Sequence, residues 1–198
     1  MSHTLSRFLV TQAYNNAWAN HRLLKACSLL SQEEFEASGR SSFFPSIKHT
    51  LNHILTVDWF YIDALEREAG GEEPHPDYVS FFRPEQPFGT CAALAEAQRD
   101  SDRRLIAYCE QLDDGQVGNI VRIQRGDVSQ CETRVRLLAH VFEHQIHHRG
   151  QVHTMLSGTS AAPPQLDEFF CTNDTALRAE DFRELGWTEE QVWHGANG

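Results

Sequence analysis

Four stretches of this chain hold apolar residues at helical spacing for several turns each, and the seven prolines sit at their ends or between them, never in their interiors. Such periodicity commits a chain to amphipathic helices that must bury one face against one another. The first stretch, Leu5 to about Leu30, keeps Leu5, Phe8, Leu9, Ala13, Leu23, Cys27 and Leu30 in phase. The second takes Pro45 into its first turn and runs to about Ala69, where Gly70-Gly71 stops it. The third, about Thr90 to Leu112, aligns Leu94, Ser101, Leu105, Tyr108 and Leu112, and Asp113-Asp114-Gly115 ends it. The fourth, about Thr133 to Leu156, closes at Ser157-Gly158. Four helices with mostly short connections predict an all-α four-helix bundle, a fold that builds cofactor sites inward from facing helices.

Three segments depart from the pattern. Residues 71–88 carry Pro74, Pro76, Pro84 and Pro87 among Tyr78, Phe81, Phe82 and Phe88, which forbids regular helix and predicts a partly apolar loop. Between helices three and four, Asn119–Ile123 and Val128–Glu132 flank a turn at Gly126, so a short β-hairpin is expected, packed on the helices because two strands alone are marginal. Pro163-Pro164 opens a C-terminal extension, in which Thr188-Glu-Glu-Gln191 has capping-box spacing for a last short helix. The expected organisation is one domain over 1–198, with a core of about 5–170 and an extension of about 171–198.

A formal charge of −11 disfavours nucleic acid and anionic membrane surfaces, both of which need clustered Lys and Arg. The five cysteines are odd in number and form no Cys-x-x-Cys pair, so neither a disulfide framework nor a thiolate zinc knuckle is indicated, and a reducing cytoplasm is the expected compartment. No signal-type or membrane-spanning apolar run is present.

The chemistry sits in His144-Gln-Ile-His-His-Arg-Gly-Gln151. Positions four apart on a helix face the same way, so His144 and His148 can converge on one cation. Projected at about 100° per residue, Leu137, His140, His144, His148, Gln151 and Met155 share one arc of about 80°, with His147 at its margin and His153 elsewhere. Imidazoles on a face that also carries Leu137 and Met155 are costly to bury unless hydrogen-bonded or metallated. Gln145 stands where a His-Glu-x-x-His peptidase motif places its general base, which removes that reading. A third ligand must come from another helix, and both His53 and His49 on the second helix qualify.

Leu51-Asn-His53-Ile-Leu together with His144-x-x-x-His148-Arg-Gly-Gln151, preceded by Tyr14-Asn-Asn-Ala-Trp-Ala-Asn-His-Arg-Leu-Leu24, resembles the DinB family, the wider group of DinB/YfiT-like metalloenzymes. The resemblance implies a four-helix bundle, often a homodimer, with a divalent metal, zinc or nickel foremost, bound by His53, His144 and His148. It selects His53 over His49, and it includes Arg149 and Gln151 in the signature, with helix-end packing or a ligand-orienting role open to both. His140 and His147 fall outside the carried-over triad.

Relatives of this kind use low-molecular-weight thiols, so the expected function is a metal-dependent thiol S-transferase acting on small electrophiles, with no catalytic side chain assigned. Two alternatives stand beside it. A metal-dependent hydrolase needs a carboxylate base, for which Asp58 and Glu143 are the nearest candidates in sequence. A stress-associated bundle without catalysis would close its metal site with a fourth ligand such as His49 or His140.

Overall fold

The structure, a computed structural model, describes residues 4–194. It is mostly helical. The long helices are α1 (Leu5–Cys27), α3 (Ile47–Ala69), α4 (Cys91–Glu110) and α5 (Arg134–Leu156); a short α2 (Gln32–Glu36) follows α1, and α6 (Thr175–Leu185) and α7 (Glu189–His194) close the chain. α1 packs against α4 and α5, and α3 packs against the same two, so each long helix touches two others along its length. No helix among the described residues is long and apolar enough to cross a membrane.

Each long helix starts where a hydroxyl side chain accepts from the first turn. Thr4, Ser46, Thr90 and Thr133 accept from the backbone N–H of Arg7, His49, Ala93 and Arg136 respectively. Each such cap stabilises a helix by about 1 kcal/mol. Pro45 therefore precedes the N-cap of α3 and lies outside its first turn. α1 ends at Cys27, with Ser28 as its C-cap, because Ser31 opens α2 with a reciprocal capping box to Glu34. The reading of α1 to Leu30 overlooked that Ser-x-x-Glu signal, and the reading of α4 to Leu112 likewise ran past its last helical residue, Glu110.

The hairpin pairs β1 (Ile120–Arg125) with β2 (Val128–Thr133), antiparallel from Ile120↔Thr133 to Arg125↔Val128. Its two-residue turn places Gly126 at φ 59, a left-handed conformation that glycine adopts without steric cost. Val121 and Ile123 are buried and β1 packs on α3. Burying each contributes about 1.5–3 kcal/mol, enough to hold a ribbon that is marginal alone.

The loop at 71–88 contains one 3₁₀ turn, Tyr78–Phe82, whose aromatics pack around Phe60. In the extension, α7 begins at the expected capping signal, with Thr188 Oγ1 accepting from Gln191 N at 3.1 Å. α6 was not expected. It packs on α1, where Asp181 accepts from the indole N–H of buried Trp18 at 3.1 Å and pairs with Arg22 at 2.6 Å.

Candidate metal centre

His53 stands on α3, and His144 and His148 stand one turn apart on α5, the helix packed against it. One ring nitrogen from each of the three lies within 4.8 Å of the other two. Nε2 of His53 and Nε2 of His144 are 3.0 Å apart, so only one of them can carry a proton. Two nitrogens each about 2.0–2.1 Å from a shared ion can keep that separation.

Burial and mutual repulsion hold the rings neutral, which is the form that ligates metal. Desolvation, then the neighbouring His148 and His49, lowers His53 to about 4. Desolvation, then His148 and His53, lowers His144 to about 3. Desolvation also lowers His148, against the opposing effect of the hydrogen bond it donates to Gln151. Nδ1 of His144 is buried with no hydrogen-bond partner among the described residues. Hydrogen bonding on that side therefore does not account for burying this ring, whereas convergence of its other nitrogen on the group does. The three residues fit a divalent ion.

The tautomer of His148 is set by Gln151. Nδ1 of His148 lies 2.8 Å from Gln151 Oε1, and Gln151 Nε2 lies 3.1 Å from His147 Nε2. The amide oxygen can only accept, so Nδ1 of His148 carries the proton and Nε2 presents its lone pair. The exposed His147 in turn accepts from the amide and fixes its orientation.

Phe44 covers the group from the segment before α3, with ring centroids 4.4 Å from His53, 4.6 Å from His49 and 5.7 Å from His148. That segment is tied to α5 by Arg40, whose guanidinium donates to the carbonyls of Met155 at 3.1 Å and Glu34 at 3.0 Å. Beside the centre lies a cavity of about 330 Å³ lined in part by Ser41, Ser42, His147, Gln151 and Thr154. Ser42 Oγ is buried there without a partner among the described residues.

The other sequence candidates fall elsewhere. His49 bonds Glu85 at 3.0 Å and is outside the group. His140 is exposed and meets the edge of Tyr61 at 4.9 Å between centroids. Glu143 is exposed. His153 bonds the carbonyl of Pro164 at 2.9 Å, anchoring the start of the extension.

Asp58 and Arg149 belong to a buried polar network that joins all four long helices. Asp58 Oδ2 accepts from Gln98 at 2.8 Å and from Gln145. Asp102 Oδ1 accepts from Asn20 at 2.8 Å and Gln98 at 3.2 Å. Arg149 donates to Asn16 at 2.5 Å and to Asn20 and Gln145 at 3.0 Å. Desolvation raises Asp58 to about 7 and Asp102 to about 6, and lowers Arg149 to about 10. Helix-end packing thus undersells Arg149, which bridges α5 to α1 beside the ligand helix. Sequence reading missed Asn16, Asn20, Gln98 and Asp102, although polar residues at core positions of apolar helix faces were there to be seen.

A second cluster, His21, Asp181 and Glu184, also brings three donors together. Arg22 pairs with Asp181 at 2.6 Å and Lys25 with Glu184 at 2.8 Å. Cations already occupy those carboxylates, so it is an ion-pair network holding α6 to α1.

Comparison with known proteins agrees with this geometry. The DinB family model matches residues 1–180. Protein DinB of Bacillus subtilis (strain 168) is 26% identical over 156 residues, covering 75% of this chain and 85% of that protein. A bundle of long helices, with His53 brought to His144 and His148 inside that match, belongs with them: the chain is a member of the DinB family.

Proposed function

We propose that this protein binds a divalent metal through His53, His144 and His148, and that it is a thiol S-transferase joining a low-molecular-weight thiol to a small electrophile. The observation that carries the metal assignment is the convergence of three neutral ring nitrogens from two helices within 4.8 Å. An ion held there supplies Lewis-acid charge that favours the ionised form of an incoming thiol or water.

The chain's own residues prepare that site. Gln151 keeps the Nε2 lone pair of His148 turned inward, and Phe44 excludes water from one side of the imidazoles. The neighbouring cavity, with the unpaired hydroxyl of Ser42, is sized for a small substrate. In this reading the four long helices form the four-helix bundle expected from sequence, and zinc or nickel is the ion.

Thiol transfer ranks above hydrolysis because neither carboxylate suits a general base. Asp58 is engaged by Gln98 and Gln145 inside the bundle, and Glu143 is exposed without a contact to the histidines among the described hydrogen bonds. A closed, non-catalytic site lacks its fourth ligand, since His49 is held by Glu85 and His140 lies outside the group.

Elemental analysis of the purified protein beside His53→Ala, His144→Ala and His148→Ala tests the metal assignment. Metal bound by the wild type and lost from each variant is expected; equal content in all four ends the reading. The metal-loaded protein is then expected to consume thiol in the presence of an electrophile panel. Ester or amide turnover without thiol consumption moves the assignment to hydrolysis.

A further inference from the structure

A cleft of about 410 Å³ lies between α1 and α4, roofed by the end of α6 and the turn into α7. It shares no lining residue with the histidine centre. Its roof residues, Glu184, Leu185, Trp187 and Gln191, all follow residue 180, where the family match ends. The roof is pinned in place: Trp187 meets the edge of Tyr14 at 4.9 Å and 88°, and Gln191 donates to the Tyr14 hydroxyl at 3.0 Å.

α4 supplies the floor as one stripe of residues three or four apart, from Arg99 through Arg103 and Ile106 to Glu110. At one end Arg99 enters no ion pair among the described residues, and Arg103 has only an exposed partner, Asp100. At the other end Glu110 takes the Tyr14 hydroxyl on Oε1 at 2.7 Å, and its Oε2 has no partner among the described residues. Arg99 and Glu110 are separated by about 16 Å along the helix axis. Between them Ala17, Ile106, Ala107, Leu185 and Trp187 form an apolar strip, and the charged side chains beside it are already engaged, Asp102 by Asn20 and Gln98 and Glu184 by His21 and Lys25.

Arg99, which is unpaired among the described residues, and Arg103 at one end of the strip, with the Glu110 carboxylate, which also feels Arg7, at the other, select a ligand that carries both charges. A simple anion meets Glu110 as well as the arginines, and a simple cation meets the reverse. An extended chain covers about 3.3–3.6 Å per residue, so about four to five residues span the trough. We propose that this cleft binds a short linear peptide with free ends, its carboxylate at Arg99 and Arg103, its amino group at Glu110, and apolar side chains under Trp187. Guanidinium–carboxylate pairing and capture of a free terminus are established ways for a protein to read a peptide end.

The test is isothermal calorimetry of the full chain with Ala-Leu-Leu-Ala, as the free-ended peptide, the N-acetylated peptide and the C-terminal amide. The free-ended peptide is expected to bind, and each block to weaken binding tenfold or more. The amide penalty is expected to vanish in Arg99→Gln/Arg103→Gln, and the acetyl penalty in Glu110→Gln. Wild-type protein alone also suffices, by following the indole N–H resonance of Trp187 during the same three titrations, with a shift saturating first for the free-ended peptide. No binding of the free-ended peptide at millimolar concentration, equal affinity for blocked and free forms, or end penalties that persist in the variants overturns the proposal.

Discussion

At the scale of single residues, the ligand set depends on a side chain that does not belong to it. Only if His148 is protonated on Nδ1 does its Nε2 offer a lone pair, and Gln151 Oε1 at 2.8 Å enforces that tautomer. Gln151→Ala is expected to lower metal affinity about 10–100-fold, the usual cost of losing a partner that orients a ligand. Gln151→Glu, which still accepts from Nδ1, is expected to restore it. Competition with a chromophoric chelator reads both, and equal affinities for the Ala and Glu variants would show that only packing is involved. His144 and His148 were legible in sequence because i, i+4 spacing is local geometry. Spacing alone left the choice between His49 and His53 open, since both lie on the same helix, and only the family resemblance favoured His53; in the fold the packing of α3 on α5 brings His53 to the pair and sends His49 to Glu85.

At the scale of elements, the long helices are joined by the buried network as well as by apolar packing. Asp58 has an ordinary value of 3.8 and is raised to about 7 in the fold; Asp102 rises from 3.8 to about 6. Between the unfolded and folded values the native state holds protons that the unfolded chain has released. Their contribution to stability is therefore full below about pH 4 and is lost as pH rises toward 7. The neutral imidazoles act in the opposite direction, because the unfolded chain takes up protons below their ordinary 6.5 and the fold does not. The carboxylate contribution is thus read as a difference. Asp58→Asn keeps an acceptor for Gln98 and Gln145 and is expected to gain on the wild type between pH 5 and pH 8, by roughly 1–3 kcal/mol in urea unfolding. Parallel stability curves for the two proteins would remove Asp58 as the titrating group. Helix existence was readable from period and breakers, while α2 and α6 were not anticipated: α2 is five residues long, and α6 is stabilised by Arg22 and Trp18 of α1, distant in sequence.

At the scale of the whole molecule, the extension is part of the core. Trp18, Phe169, Phe182 and Val192 are buried in one apolar cluster, and Arg178 lies buried between Glu189 and the carbonyl of Cys171. Truncation after residue 170 would uncover Trp18 and leave Arg22 without Asp181. It is expected to lower Tm by about 10 °C or more, since for a chain of this size each kcal/mol shifts Tm by about 2–4 °C. Thermal unfolding followed by circular dichroism measures it, and an unchanged Tm would make the extension an appendage.

Local geometry is encoded over a few residues, so the sequence alone determined the long helices, the Thr188 cap of α7, the hairpin turn at Gly126 and the histidine pair on α5. Placement between distant segments depends on which faces pack together, and only the tertiary structure decided it. It brought His53 to His144 and His148, turned Asp58 and Arg149 into a brace across the helices, and folded residues beyond 180 over the α1–α4 cleft. Each of these joins groups far apart in the chain, and no spacing rule reaches across such a gap.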